Sequence, residues 1–475
     1  MVILITLLAY FATLFALSRI TGRQATNNTF YRADRRSPWY MVAFGMVGAS
    51  ISGVTYVSVP GMVTSSGMAY LQMCLGFIPG YFIVAFVLLP LYYKLNLTTI
   101  YTYLYTRIGP KAYKTGAWFF LLSKMLGASL RFYVVCIIVQ AFVSEQLGIP
   151  FVATAMCMVA LIWLYTHRGG IKTLVWTDSF QTLCLFLSLI LIIINVAGAM
   201  DMSLAEAAQA VVADPMSRIF VFDDWLSPQN FWKQFVSGAF VVVVMTGLDQ
   251  DMMQKNLTCK TLREAQKDMC SYGFAFFPAN LLFLALGVLL VQLAASRGVS
   301  LPANGDELLP MFAATGSLGT SVVVLFTIGI VAAAFSSADS ALTALTTSYC
   351  IDIAARSDDE GLRRRAHAAM CILFVAFILF FRAFNSESVL DAIYTMCSYT
   401  YGPLLGLFAF GMLTERQPRD TAVPYVAVLS PLICLAADRF VPLLTGYRFG
   451  YELLLLNGLL TFAGLWCASH KATTT

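Results

Sequence analysis

Charged residues are scarce in this chain: they make up 12% of 475 residues, against 59% that are hydrophobic. A soluble globular domain carries about 25% charged residues, so a water-soluble enzyme is excluded and a bilayer is the solvent the composition fits. Histidine is nearly absent, at three residues, which leaves no cluster of bases or metal ligands for chemistry at membrane depth. The eleven cysteines are scattered singly from Cys74 to Cys467, with no CxxC pair and mostly inside apolar runs. They read as small buried hydrophobes, and neither a disulfide framework nor a metal site is supported. The net charge of +5 gives no nucleic-acid signal. The first apolar run, 1–17, lacks a basic leader. Its cations Arg19 and Arg23 follow the run, the reverse of a cleavable signal peptide, so it is expected to stay as a first helix.

What the chain has in abundance is long apolar runs. They predict thirteen spans: 2–19, 38–66, 68–93, 115–143, 150–166, 173–199, 230–250, 269–295, 319–350, 366–384, 388–413, 421–438 and 449–468. At roughly 20 residues per span, thirteen helices and short loops account for the chain without an additional soluble domain. The alternate loops carry 22 and 6 Lys/Arg residues. The positive-inside rule then puts the N-terminus outside and the C-terminus in the cytoplasm. The longest external connection, 200–229, contains an Ala/Glu-rich stretch from Ser203 to Val212 that predicts a surface helix. Two spans carry helix-breaking interruptions: Ser50-Ile51-Ser52-Gly53 with Pro60-Gly61 in the second, and Thr246-Gly247 before Asp249 in the seventh. They lie five spans apart, as expected for inverted repeats that hold a binding site at the midplane.

Polar groups inside the spans narrow the function. In the ninth, Ser336, Asp339, Ser340 and Thr343 fall at i, i+3, i+4 and i+7, so one helix face presents three hydroxyls and a carboxylate. Serines alone would be explained by back-bonding and close helix packing. The carboxylate changes the balance, because inserting it costs about 2.5–3.5 kcal/mol or more. Hard oxygens on one face suit a small alkali cation. Asp178 near the start of the sixth span reads either as part of such a site or as an interfacial N-cap in water. Arg131 lies near mid-bilayer in the fourth span, with Lys124 seven residues earlier on the same face. Lys124 is within reach of the cytoplasm by snorkelling. Arg131 needs a partner: Asp178, Asp339 or an anionic substrate. His167 falls in a cytoplasmic loop, with no case for it as a base.

Several long motifs resemble the sodium/solute symporter family, which includes carriers of sugars, proline, monocarboxylates, vitamins, iodide and sialic acid. Phe30-Tyr-Arg-Ala-Asp-Arg-Arg-Ser-Pro-Trp39 looks like the entry to the family's first core helix. Leu97-Thr-Thr-Ile-Tyr-Thr-Tyr-Leu-Tyr-Thr-Arg-Ile-Gly109 is similar to the loop after the second. Gly169-Gly170 through Thr177-Asp178 to Gln181 resembles the opening of the fifth, and Asp249-Gln250-Asp251 with Gln254-Lys255 the end of the sixth, with Lys where the family has Arg. Tyr399-Thr-Tyr-Gly402-Pro403-Leu-Leu-Gly406 looks like the tenth.

The resemblance implies an all-α integral membrane protein with a LeuT-like five-plus-five inverted repeat. Residues 1–37 would hold an extra N-terminal helix, 38–200 the first repeat, 201–229 an external loop, 230–413 the second repeat and 414–475 two extra helices. It also implies a main sodium site at Gly48, Ile51, Ala333, Ser336 and Ser337. A second sodium site, as in relatives similar to sialic-acid transporters, would fall on Asp178, Ser336, Asp339 and Ser340. Asp339 stands where a hydroxyl is usual, and the alternatives are a strengthened site or one neutralised by Arg131. Substrate candidates are Ser52, Thr55, Gln72, Cys74, Val242 and Met245, together with Arg131. The apolar Val242 and Met245 argue against a neutral hexose, and Arg131 turns the expectation toward a small organic anion such as an acidic sugar. The expected protein is therefore a monomeric, plasma- or inner-membrane importer, not an enzyme, that uses Na+ as coupling ion and no other cofactor. The alternatives are a sodium- or proton-coupled importer of a neutral solute and a membrane sensor domain. The sensor is disfavoured because the sequence ends about five residues after the last run, with no output domain.

Overall fold

The computed structural model describes residues 2–23, 25–225, 227–314, 318–384, 389–445, 447 and 449–470, and these are overwhelmingly helical. In chain order the principal helices are α1 (Val2–Thr21), α2 (Trp39–Ser50), α3 (Gly53–Gly61), α4 (Tyr70–Ile83, running on to Lys94), α5 (Pro110–Val139), α6 (Phe151–Thr166) and α7 (Ile171–Gly198). They continue with α8 (Phe231–Val242), α9 (Gln250–Asn256), α10 (Leu262–Ser296), α11 (Thr320–Ser348), α12 (Glu360–Phe384), α13 (Val389–Leu413), α14 (Val423–Thr445) and α15 (Leu453–Cys467). Nine helices among the described residues are long and apolar enough to cross a bilayer, and two bent pairs bring the number to eleven. The described residues thus give nine to eleven spans where thirteen were expected. The 16 residues of α6 and the 15 of α15 fall short of the ~20 needed by an untilted span.

Helix boundaries follow the predicted runs closely, with differences where polar turns extend a helix beyond its apolar stretch. Helix α10 starts at Leu262 rather than 269 because Thr261 caps it, accepting from the Glu264 amide; α12 starts at Glu360 rather than 366. In α7 the two faces separate by chemistry. Leu183, Leu187, Ile190 and Ile194 are exposed, at the spacing of one helix face, while Asp178, Thr182, Leu185 and Leu189 are buried. The apolar side is turned outward, as in a helix solvated by lipid, and the polar side meets other helices. The predicted surface helix forms at Leu204–Ala213, with Ser203 and Glu206 making a reciprocal capping box.

Both interrupted spans are broken in space. Helix α2 and the segment Gly53–Ser66 bend by 59°, and Phe231–Gly247 and α9 by 70°. Ile51 (φ −80°, ψ 84°) and Ser52 (φ −73°, ψ 170°) leave helical geometry between α2 and α3. Before the second break the chain is π-wound over Val243–Gly247, a local winding that recurs at functional sites. Helix α9 then restarts on Asp249, whose carboxylate accepts from the Asp251 amide as its N-cap.

Candidate functional site

At the first break the Ser52 amide turns to the Ser50 carbonyl, 3.1 Å away, which deprives the Gly48 carbonyl of its i+4 donor. Such orphan carbonyls at a helix end need another partner. Here the Ser336 hydroxyl lies 3.3 Å from the Gly48 carbonyl oxygen and 3.2 Å from that of Ala333. Three of the five residues implied for the main sodium site thus meet at one point. Ile51 is fully buried in the unwound link, and Ser337 faces the adjoining cavity. The oxygens gathered here are neutral carbonyls and hydroxyls, the type that replaces an alkali ion's hydration shell.

Asp178, Asp339 and Ser340 also come together, but in different company from that expected. Asp178 is an interior residue of α7, 1% exposed, so the water-facing N-cap alternative is overturned. Its Oδ2 is 2.8 Å from the Lys255 Nζ. The Ser340 Oγ stands 3.4 Å from Asp178 Oδ2 and 3.3 Å from Asp339 Oδ1, and the Tyr165 hydroxyl donates to Asp339 Oδ2 at 2.7 Å. Arg131 takes no part, so the expectation that it pairs with either carboxylate is corrected.

Beside the first break lies a cavity of about 110 Å³. Ser52, Thr55, Arg131, Val242 and Met245 all line it. Gln72 and Cys74 do not. The π-winding places Met245 and Thr246 on the wall, whereas Gln72 is fully buried on α4 holding the loop before α8. Its amide donates to the Gln229 carbonyl at 2.9 Å and accepts from the Val221 amide at 3.0 Å. Lys124 lines the same cavity and does not snorkel: its Nζ lies 3.1 Å from Asp249 and 2.7 Å from Asp251, both buried. The Tyr401 hydroxyl also donates to Asp249. Arg131 makes no hydrogen bond or ion pair among the described residues, and it is the cavity's one cation in that condition.

Residues 30–424 match the sodium:solute symporter family. The chain belongs to that family. It is similar to the sodium/sialic acid symporter SiaT of Proteus mirabilis, with 23% identity across 90% of this chain and 87% of that one. It is also similar to the human sodium-coupled monocarboxylate transporter 1, with 24% identity across 90% of this chain and 69% of that one. Among solved structures, a sodium-coupled sialic acid symporter in a substrate-bound, outward-open state superposes with a TM-score of 0.84 at 18% identity, covering 99% of both chains. The nucleobase-cation symporter Mhp1, closed around its ligand, gives 0.57 at 13%, covering 93% of both. The fold is thus the LeuT-like one of these carriers, and the chain is a multi-pass membrane transporter rather than an enzyme.

Sequence reasoning missed the roles of Lys255, Tyr165, Asp249 and Asp251. The family member's Asp-Gln…Gln-Lys motif contained three of them. Lys255 follows the seventh apolar run, among residues that read as a polar loop, yet it is 2% exposed on α9. Tyr165 sits in an apolar run that gives no sign that its hydroxyl faces a carboxylate.

Proposed function

We propose that this protein imports a small organic anion together with sodium by alternating access, with Arg131 holding the substrate's anionic group. The observation that carries this reading is the contrast between the cavity's two cations. Lys124 is already matched by Asp249 and Asp251, whereas Arg131 has no such partner. The half-buried Arg131 lines the cavity without a counter-charge, and its planar fork suits a carboxylate. Ser52 in the unwound link and Thr55 on α3 offer hydroxyls, and Val242 and Met245 an apolar wall, which fits a carboxylate or an acidic sugar such as sialic acid.

Sodium at Gly48, Ile51, Ala333, Ser336 and Ser337 would tie the broken α2–α3 span to α11, next to the substrate cavity. That proximity is a route to coupling: sodium and substrate favour the same conformer because both use the unwound link. The driving force per charge is about 2.3 kcal/mol per 100 mV, in addition to the sodium gradient. In this reading α6 and α15 also cross the bilayer, giving thirteen spans, with 38–200 and 230–413 as inverted repeats. The loop cations, 21 against 6 once Lys255 is removed, support a cytoplasmic C-terminus. The importer acts as a monomer.

The test is uptake into proteoliposomes of labelled acidic sugars, monocarboxylates, neutral sugars and amino acids, each with inward sodium or proton gradients. The expected result is uptake of an anion driven by sodium. Uptake of only neutral solutes, or uptake driven by protons without sodium, contradicts the reading.

A further inference from the structure

We propose that the Lys255 ammonium is a tethered cation occupying the second ion site, so that the protein binds one sodium where the residue pattern predicts two. The inference rests on the sodium-coupled reading above and sets its stoichiometry. Asp178, Asp339 and Ser340 do converge, as a second cation site requires. The position a cation would take against Asp178 is filled by Nζ, 2.8 Å from Oδ2. Both side chains are nearly sealed from solvent, at 2% and 1%, so no water screens the ammonium from a neighbouring ion. Two like charges a few ångströms apart repel strongly in such surroundings. The negative charge of Asp251 and Asp339 adds to the attraction that holds the ammonium there.

The remaining carboxylate oxygens also have donors. The Gln181 amide, oriented to satisfy both its ends, donates to Asp178 Oδ1 at 3.3 Å. Tyr165 donates to Asp339 Oδ2, and the Ser340 hydroxyl faces Asp339 Oδ1. A second sodium would have to displace the lysine and compete with these hydrogens. At the main site the situation is the opposite: Gly48, Ala333 and Ser336 present neutral oxygens, and among the described residues no lysine or arginine is bonded to them. The substitution of a lysine for an ion is thus local to one of two adjacent sites.

The experiment is radiosodium binding to the purified full-length protein at saturation, wild type against K255A and K255A/D178N, with S336A/S337A as the main-site control. We expect one sodium per chain in the wild type. K255A, which opens the space beside Asp178, should bind a second, and K255A/D178N should return to one. Two in the wild type overturns the inference while leaving sodium coupling intact. None in the wild type overturns the sodium-coupled reading, and the inference with it. A folded K255A that still binds one sodium shows that the lysine does not fill the site. Should K255A fail to fold, the wild-type count decides alone.

Discussion

A β-carbon placed on Gly48 would come within 1.8 Å of the Thr182 hydroxyl oxygen and 2.7 Å of its β-carbon. Helices α2 and α7 therefore touch at the residue whose carbonyl faces Ser336. G48A forces them apart. We expect a loss of about 1–3 kcal/mol of stability, as for other overpacked cores, and a weaker sodium dependence of uptake. T182A in the same background should restore part of both. Melting temperature in detergent and sodium titration of uptake check the pair.

The hydroxyl oxygens of α11 give a cleaner test of the ion site. S336A and S337A each remove one oxygen without adding bulk. Each is expected to raise the sodium concentration for half-maximal uptake by about tenfold, corresponding to about 1.4 kcal/mol. An unchanged sodium dependence in folded protein would remove these residues from the site.

Lys124 and Arg131 stand two helix turns apart on one cavity wall, yet their substitution should have opposite signatures. K124M leaves the buried Asp249 and Asp251 without their cation, and breaking a buried pair costs about 3–5 kcal/mol. R131Q breaks no ion pair. It should leave the melting temperature near wild type while lowering apparent anion affinity by about ten- to a hundredfold, the range for a hydrogen bond to a charged group. A large stability loss in R131Q with intact uptake would reverse these assignments.

Y165F tests the environment of Asp339. The variant removes the 2.7 Å donor to a fully buried carboxylate. A loss of about 1–3 kcal/mol is expected, read as a lower melting temperature. S340A, whose longer contacts of 3.3 and 3.4 Å are shared between two carboxylates, should cost less.

Much of this arrangement is legible in the sequence because it depends on periodicity and on local chain chemistry. The i, i+3, i+4, i+7 face of Ser336, Asp339, Ser340 and Thr343 needs only the helix repeat. Both breaks follow from residues that weaken helix beside polar ones. What the sequence does not convey is rotation and aim. Arg131 and Lys124 were correctly on one face, but which carboxylates that face meets depends on where the 70° bend sends α9. Asp249, Asp251 and Lys255 reach the interior through that bend, so their partners became visible only in three dimensions. Gln72 shows the same limit: it lies on α4, close in sequence to cavity-lining Tyr70 and Phe77, but turned to the loop before α8.

The central claim is that sodium and an organic anion bind together, the anion at Arg131. Its most direct test is thermal stability of the purified protein against acidic sugars, monocarboxylates, neutral sugars and amino acids, with and without sodium at matched ionic strength, in wild type and R131Q. The account predicts that an anion stabilises the wild type only when sodium is present, and that R131Q loses this shift while keeping the shift due to sodium alone. Anion stabilisation indifferent to sodium, or undiminished in R131Q, would contradict it.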